Sequence, residues 1–360
     1  MSDIAADNDI YANELTMTML RSDDFIIYTK EIRALEAKIL EIVMLGNCGA
    51  CVVSRPRCGK TTSMVYIARS LKQRYGEEFP VVMWDITDHP VTEKNFYSTL
   101  LTAMGVKHTV NHTALVLKNR VLSELVTLAS DTPFNKVVLM IDEAWRLDEK
   151  DFTWLMDLYN ILRRYNLQLI TVFFSTNELL DKKRNFKSEG LDQIVERFFL
   201  NIYNFHGIRD KGELMICLNA LDNAMMRSVA SDDKPMRLKD FYFPRAKETD
   251  EFFKLGDLYW EAFNNVKTNY GIGVEDIPME FVVGSFRILL GCYGKLSANS
   301  VVWPGYNEIH ESILRSGYTE SDDVHVKTFS KRRNKRYLSF KALYVEKIMD
   351  KTLRITVQCV

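Results

Sequence analysis

The stretch ACVVSRPRCGKTTSMVYIARSLKQRY, residues 50–75, contains an apolar run, a polar loop and an amphipathic segment in that order. The run ACVVS (50–54) predicts a buried β-strand, and the residues after Lys60 have the apolar spacing of a helix. The loop between them, SRPRCGKT (54–61), matches the pattern G-x-x-x-x-G-K-[ST] at its last three positions, with Ser54 at the first. A strand, this loop and a helix in succession are typical of a phosphate-binding P-loop.

The chemistry of the loop explains which of its positions matter most. Gly59 allows close approach of the backbone to the phosphates, Lys60 reaches the β- and γ-phosphates, and Thr61 offers a hydroxyl to Mg²⁺. The residues that we expect to contact the nucleotide are Ser54, Arg55, Pro56, Arg57, Cys58, Gly59, Lys60, Thr61 and Thr62. The sequence therefore predicts a site for ATP and Mg²⁺. The alternative is a chance Gly-Lys-Thr at a strand–helix turn.

A second apolar run, VVLMIDEA (137–144), ends in two acidic residues. With Thr61, Asp142 forms the predicted metal site, where it is placed to hold Mg²⁺ through the water shell of the ion. Glu143 is placed to polarise the attacking water. Two solvated acids at a strand end are common in isolation, but they are unexpected after a P-loop with a strand and helices between. The pair predicts an ATPase whose hydrolysis is slow and regulatory, with Glu143 as its catalytic carboxylate.

Further positions are candidates for contact with the γ-phosphate. The predicted strand that contains VFFSTN ends in Thr176 and Asn177, which fit a sensor of the γ-phosphate or of the attacking water; the alternative is a strand-to-loop cap. Arg197, in IVERFF, is a candidate arginine finger toward a neighbouring subunit, or else a surface arginine. Arg287, in GSFR, is a candidate that folds back onto the nucleotide.

The alternation of strands and helices indicates a parallel sheet that is covered on both faces. The predicted strands lie at 50–54, 79–88, 135–144, 167–177 and 199–205. After about residue 206 the pattern becomes helical. We therefore expect a loose N-terminal arm (1–24), a nucleotide-binding α/β domain (25–205), a helical lid domain (206–320) and a basic C-terminal tail (321–360).

Composition excludes several classes of protein. The chain has 360 residues, 47% hydrophobic and 26% charged, with a net charge of −1, so the whole molecule exerts no general attraction on nucleic acid. Its N-terminus lacks a signal peptide and no stretch is long enough to cross a bilayer, so a soluble cytoplasmic protein is expected. Among six cysteines, Cys48 and Cys51 form a CxxC, which we interpret as part of a buried strand rather than a metal site.

These motifs, in this order, resemble the AAA+ ATPases that regulate DNA transposition, namely the TnsC and TniB proteins and, more distantly, MuB. The resemblance covers roughly residues 30–315. It depends on RPRCGKTT (55–62), WDITDHPVTEKNFYSTLLTAMG (84–105), MIDEAWRL (140–147), FFSTNEL (173–179) and VERFF (195–199). Two positions depart from the family pattern: Ser54 replaces the usual glycine, and Trp145 stands where the family often has histidine or another polar residue.

The resemblance implies an AAA+ P-loop α/β fold, with a five-stranded parallel sheet and a smaller C-terminal all-helical lid domain. It also implies ATP-dependent assembly on double-stranded DNA as a ring or helical filament, with a transposase and a target-selection protein as partners. Candidate DNA contacts in the zone after the second strand are Thr92, Lys94, Lys107, Lys118 and Arg120. The basic part of the tail, Lys327, Lys331, Arg332, Arg333, Lys335 and Arg336, is a second candidate for DNA or for an acidic partner.

Two other classes of function fit the same motifs. One is a replication initiator or helicase loader, which a winged-helix domain after the lid would favour; the segment after residue 320 is short for such a domain. The other is a signalling NTPase that acts as a scaffold without DNA. Each candidate DNA contact can also be explained as part of a solvated helix face.

Overall fold

The computed structural model describes residues 26–109, 111–130, 132–226 and 236–320. The predicted N-terminal arm and the basic tail, with its lysines and arginines, lie outside the described residues. The chain divides into two compact units. The α/β unit contains 28–213 and 276–280, and the helical unit contains, among the described residues, 26–27, 214–226, 236–275 and 281–320.

Helices and strands alternate through the α/β unit. They are α1 (Lys30–Leu45), β1 (Gly49–Val53), α2 (Lys60–Tyr75), β2 (Val81–Asp85), α3 (Glu93–Ala103), α4 (Ala114–Ser130), β3 (Lys136–Asp142), α5 (Glu149–Arg164), β4 (Gln168–Ser175), α6 (Glu178–Ser188), α7 (Asp192–Phe198) and β5 (Asn201–Asn204). Local signals set several of the helix ends. Thr29 caps α1 by accepting a hydrogen bond from the Ile32 N–H at 3.1 Å, and Gly46 ends that helix with a φ of 67°.

The five strands form one parallel sheet in the order β2-β3-β4-β1-β5. Strand β4 therefore lies between the strand that precedes the P-loop and the strand that ends in Asp142. Just after β1 ends, the Ser54 N–H donates a hydrogen bond to the carbonyl of Ser175, the last residue of the neighbouring β4, at 3.1 Å. The carboxyl ends of β1, β3 and β4 consequently lie side by side, which is where ligands bind in sheets of this type.

Burial explains why the central strands are almost entirely apolar. All five residues of β1 are buried, and so is the run from Val137 to Ile141 in β3. Gly49, the first residue of β1, lies close to the backbone of α7. A Cβ at this position would be 2.8 Å from the Cα of Phe198, so a larger residue would clash. Helices on both faces remove these strands from water, which matches the hydrophobic pattern of a doubly covered sheet.

The helical unit has its own aromatic core. Phe252 lies at its centre, with its ring centroid 4.8 Å from that of Phe286 and 5.2 Å from that of Trp303. The elements are α8 (Lys211–Asp222), which begins in the α/β unit, β6 (Met225–Met226), β7 (Met236–Arg237), α9 (Leu238–Tyr242), α10 (Gly256–Tyr270), α11 (Met279–Tyr293), which also begins in the α/β unit, and α12 (Tyr306–Arg315). None of the helices within the described ranges is long and apolar enough to span a membrane. The predicted fold class, a five-stranded parallel sheet followed by a helical C-terminal region, is confirmed.

Candidate nucleotide site

The P-loop connects the end of β1 to the start of α2 through two residues with left-handed backbone conformation. Gly59 has a φ of 100°, a conformation that side chains other than glycine rarely adopt. Arg57 has a φ of 66°, and this strained conformation is typical of ligand-binding loops. The Arg57 carbonyl accepts a hydrogen bond from the Glu280 N–H at 3.2 Å, which holds the loop in this shape.

Lys60 is buried against the loop that precedes it. The residue is only 8% exposed to solvent. Its Nζ donates hydrogen bonds to Ser54 Oγ and to the Arg55 carbonyl, each at 3.0 Å. Burial lowers the pKa of Lys60 from its ordinary value. These neutral oxygens solvate the ammonium weakly compared with a phosphate, so a nucleotide would provide stronger, charge-assisted partners.

Thr61 and Asp142 meet directly, as a metal site between the P-loop and β3 requires. The Thr61 hydroxyl donates to Asp142 Oδ2 at 2.6 Å, and Asp142 is 4% exposed. Burial raises the pKa of the Asp142 carboxyl. Mg²⁺ prefers oxygen ligands, and a hydroxyl beside a buried carboxylate is such a donor set. The residues present therefore fit Mg²⁺, which Thr61 and Asp142 would hold.

Glu143 follows Asp142 in a left-handed conformation with a φ of 52°. Its N–H donates to Asp142 Oδ1 at 2.9 Å, so the two acidic residues are held in a fixed relation. The Trp145 indole N–H donates to the Glu143 carboxylate. Glu143 is therefore close to Lys60, Thr61 and Asp142, but its carboxylate is occupied by a neighbour in its own chain.

The end of β4 places polar groups between the P-loop and Asp142. The hydroxyls of Ser175 and Thr176 are buried, and neither has a hydrogen-bond partner among the residues that the structure describes. Asn177 is exposed at the start of α6. An unsatisfied hydroxyl next to a phosphate-binding loop is suited to contact a ligand, and Thr176 is consequently the stronger of the two sensor candidates.

Arg197 lies away from the P-loop of its own chain. It precedes Phe198, which packs against Gly49 at the amino end of β1, whereas the P-loop leaves the carboxyl end of that strand. Its guanidinium donates to Asn160 Oδ1 at 2.8 Å and lies 4.5 Å from the ring centroid of Tyr159. A role for Arg197 in ATP chemistry therefore requires a second subunit, and it remains a prediction.

Arg287 and the candidate DNA contacts are placed as follows. Arg287 lies on α11 within the helical unit, and its predicted contact with nucleotide remains a prediction. Thr92 caps α3 and is exposed, as is Lys107 after that helix. Lys118 donates to Asp157 Oδ2 at 2.9 Å, so its charge is already paired within the unit. Lys94 and Arg120 are both half-buried, Lys94 on α3 and Arg120 on α4.

Asp276 is part of the site although no sequence motif indicates it. The carboxylate accepts the Gly207 N–H at 2.6 Å and forms an ion pair with Arg55 of the P-loop. Although burial acts to raise its pKa, the bond from Gly207 and the Arg55 charge hold the pKa of Asp276 below its usual range. Cys58 is also buried nearby, and burial raises the pKa of its thiol to about 11, so the thiol stays protonated.

Replacing Asp276 by alanine is expected to weaken ATP binding about tenfold and to lower the free energy of unfolding by about 2–4 kcal/mol, because Arg55 and the Gly207 N–H lose their partner. The pKa of Asp276 is lower in the folded protein than in the unfolded protein. The stability that the ionised carboxylate contributes is therefore fully present above about pH 4, the ordinary pKa of an aspartate, and is lost as the pH falls through the folded-state pKa. Denaturant unfolding at several pH values and titration with a fluorescent ATP analogue measure both effects.

Glu280→Ala is the matched control for this prediction. Glu280 is half-exposed and lies 3.7 Å from Arg57, so losing its carboxylate should change stability by less than about 1 kcal/mol. If the two variants lose the same small amount of stability and bind ATP equally well, Asp276 does not position the P-loop.

Comparisons with known proteins support the fold. Residues 47–182 match the family model described as an AAA domain. A comparison with curated protein sequences finds no match. Among solved structures, the Aeropyrum pernix ORC2 protein in ADPNP–ADP complexes aligns with a TM-score of 0.55 at 12% identity, covering 83% of this chain and 71% of that chain.

Two further solved structures align less closely. The Aeropyrum pernix ORC1 protein in complex with DNA has a TM-score of 0.46 at 13% identity, covering 81% of this chain and 66% of that chain. Domain III of the Thermotoga maritima replication initiation protein DnaA has a TM-score of 0.44 at 16% identity, covering 81% of this chain and 94% of that chain. At such identities only the fold is established, and it is established by the ORC2 alignment. The chain therefore has the AAA+ P-loop fold, and the part that matches the AAA domain model is residues 47–182.

Proposed function

We propose that the chain is an ATP-binding and ATP-hydrolysing AAA+ protein of the replication-initiator class that assembles on duplex DNA. The observation that carries this proposal is the contact of Thr61 with Asp142, beside Glu143 and the buried Lys60. The fold shared with the ORC2 protein, which was solved in ADPNP–ADP complexes, supports control by nucleotide and favours this class. In such a protein, bound ATP determines when subunits associate on DNA.

Hydrolysis follows from the chemistry of the side chains at this site. The loop amides and the Lys60 ammonium bind the β- and γ-phosphates. Glu143 takes a proton from a water molecule whose oxygen attacks the γ-phosphorus; the bond from phosphorus to the β–γ bridging oxygen breaks, and ADP leaves with the electron pair. The Thr176 hydroxyl is suited to orient the γ-phosphate or the water. Mg²⁺ held by Thr61 and Asp142 would screen the phosphate charge.

A regulator of transposition is a second candidate function, favoured by the sequence resemblance at residues 84–105. Its partners would be a transposase and a target-selection protein, and both remain predictions. A transposase gene beside the gene for this chain would favour this function over replication initiation. The signalling scaffold, in contrast, predicts that the protein does not bind DNA at all.

Nucleotide-dependent sedimentation with duplex DNA tests the proposal. Wild-type protein should sediment with a duplex of about 60 base pairs in the presence of a non-hydrolysable ATP analogue, and much less with ADP. Binding should weaken steeply as salt rises, because phosphate contacts release counterions, and Lys107→Ala should reduce the salt slope by about 1. If the protein stays in the supernatant with every nucleotide at low salt, the DNA-binding part of the proposal is wrong.

Replacing Arg197 by alanine should leave ATP binding by the monomer nearly unchanged, but it should abolish ATP-dependent assembly and reduce ATPase activity at least about tenfold. The reason is that Arg197 lies far from its own P-loop and reaches a γ-phosphate only across a subunit interface. To do so it must leave Asn160 and Tyr159, contacts worth about 1 kcal/mol each. Light scattering and phosphate release at low salt with duplex DNA measure the two losses.

Arg184→Ala is the control for this experiment. Arg184 is an exposed arginine on α6 that pairs with Asp181 of the same helix, and its loss should affect neither assembly nor turnover. Normal assembly and full turnover by the Arg197 variant would mean that Arg197 is an ordinary surface arginine.

A further inference from the structure

His89 lies in the segment 86–92, which connects the end of β2 to the start of α3. The next residue is Pro90, whose ring favours an extended backbone at His89 and so limits where the imidazole can point. His89 Nε2 lies 3.2 Å from Asp148 Oδ2 and 3.3 Å from Asp151 Oδ2, at the start of α5. Two segments of the α/β unit that are distant in sequence therefore bring one imidazole and two carboxylates together.

The two carboxylates are fixed by the capping box of α5. Asp148 Oδ1 accepts the N–H groups of Lys150 at 2.9 Å and of Asp151 at 3.2 Å, and Asp151 Oδ2 accepts the Asp148 N–H at 2.8 Å. The box therefore orients both side chains but uses only one oxygen of each, which leaves Asp148 Oδ2 and Asp151 Oδ1. Carboxylates that bind metals are commonly held in place by such additional hydrogen bonds.

Two atoms of this cluster are buried and make no hydrogen bond within the ranges that the structure describes. One is Oδ1 of Asp151, a residue that is 0% exposed, and the other is Nε2 of His89. The imidazole nitrogen is thus close to both carboxylates without donating to either in the geometry of a hydrogen bond. Buried polar atoms are nearly always satisfied, so two unsatisfied atoms in one cluster indicate that it binds a ligand.

The charges of the cluster favour a cation as that ligand. A buried carboxylate is costly unless a positive partner compensates it. Burial raises the pKa of Asp151 to about 6, and the neighbouring Asp148 carboxylate acts in the same direction. The N-terminus of a helix favours anions, so the two carboxylates are what attracts a cation here. An imidazole among the ligands favours Zn²⁺ and similar transition metals over Mg²⁺ and Ca²⁺.

The distances within the cluster match those of a metal complex. Ligand atoms that each lie about 2.1 Å from Zn²⁺ in a tetrahedral arrangement are about 3.4 Å apart. His89 Nε2 lies 3.2 and 3.3 Å from the two carboxylate oxygens, and one ligand atom from each of the three residues lies within 4.8 Å of the other two.

We propose that His89, Asp148 and Asp151 form a binding site for Zn²⁺ or a similar divalent transition metal. Water can reach the remaining coordination position, because the side chains of His89 and Asp148 are partly exposed. The site shares no ligand with the predicted Mg²⁺ site at the P-loop. A metal held here joins the segment 86–92 to the start of α5, so its binding stabilises the folded chain.

Zinc titration of the full-length protein, after treatment with a chelator, tests this inference. Excess Mg²⁺ and a non-hydrolysable ATP analogue are included so that they occupy the nucleotide site. We expect wild type to bind one Zn²⁺ per chain more than His89→Ala, whose affinity at this site should fall at least about 100-fold. Zinc at 100 times the dissociation constant should raise the wild-type melting temperature by about 5 °C and leave that of His89→Ala unchanged.

Two further variants separate metal binding from folding. Asp148→Asn retains an oxygen that can cap α5 but loses the charge, so it should fold normally and bind zinc at least about tenfold more weakly. His108→Ala is the matched control. His108 is half-buried in the same unit, and its Nε2 lies 2.6 Å from Ser98 Oγ rather than near a carboxylate, so this variant should bind zinc as wild type does.

Cobalt distinguishes this site from cysteine ligands. Co²⁺ bound by an imidazole and carboxylates should give only weak visible absorption, without the strong near-ultraviolet band of a cobalt–thiolate bond, and His89→Ala should lose the visible signal. Equal zinc stoichiometry and affinity in wild type and His89→Ala would overturn the inference, as would a cobalt spectrum dominated by thiolate. His89 would then be an ordinary ion-pair partner of the two aspartates.

Discussion

Replacing Lys60 by alanine is expected to abolish ATP binding, with an affinity at least about 100-fold below that of wild type. The Lys60 ammonium is the group that we expect to contact the β- and γ-phosphates, and charge-assisted contacts to phosphate are the strongest that such a site forms. The variant should nevertheless fold normally. Lys60 is buried among neutral oxygens and burial lowers its pKa, so we expect its removal to cost little stability.

Thermal unfolding with and without ATP and Mg²⁺ separates loss of binding from loss of folding. The wild-type melting temperature should rise with nucleotide concentration, because a ligand that binds only the folded state stabilises it. The melting temperature of Lys60→Ala should not change with nucleotide. Lys72→Ala, near the end of the same helix, is the control and should respond as wild type. An unaltered response to ATP in the Lys60 variant would contradict the assignment of the P-loop.

Replacing Glu143 by glutamine should leave ATP binding intact and reduce the rate of hydrolysis at least about 100-fold. The amide has the shape of the carboxylate, and its oxygen can still accept the Trp145 N–H, but it cannot take a proton from the attacking water. As ATP is then not consumed, the ATP-bound assembly on DNA should persist far longer than in wild type. Phosphate release and the lifetime of DNA complexes measure these two effects.

Glu149→Gln provides the control for the charge change, because Glu149 is exposed in the first turn of α5. It should retain wild-type turnover. Unchanged phosphate release by the Glu143 variant would show that another group activates the water.

The sheet and the core of the nucleotide site could be predicted because their signals are local. Continuous apolar runs such as 137–141 are the pattern of strands buried on both faces, and all of these residues are indeed buried. Gly59, Lys60 and Thr61 are adjacent in sequence, so the helix that they begin fixes their relation to one another. The acidic pair, Asp142 and Glu143, could be placed because it lies at the end of a predicted strand. The AAA+ fold class followed from these elements and is confirmed.

Contacts between distant segments could not be predicted in this way. Periodicity gives no strand order, so the position of β4 between β1 and β3 appears only in the structure. Asp276 is separated from Arg55 by more than half of the chain, and the pairing of Ile208 with Ile277 that brings it there has no local signature. Trp145 was noted only as a departure from a family pattern. The hydrogen bond from its indole N–H to the Glu143 carboxylate appears only in the structure.

The sequence motifs also do not distinguish among the candidate functions. Phosphate-binding and acidic motifs are shared by AAA+ proteins of many functions, because they perform the same chemistry in each. The resemblance to transposition regulators depended on a polar segment and helix after β2, whereas the similarity to the ORC2 protein shows the fold alone. A fold hosts several functions, and the site residues of this chain fit both.

Fluorescence anisotropy of a labelled duplex tests most directly the claim that ATP at this site controls DNA binding. Wild-type protein and Lys60→Ala would be titrated into the duplex at one low salt concentration, with a non-hydrolysable ATP analogue, with ADP or without nucleotide. Tight binding is the predicted result only for wild type with the analogue. Equal binding by wild type in all three conditions, or binding by Lys60→Ala as tight as that of wild type with the analogue, would contradict it.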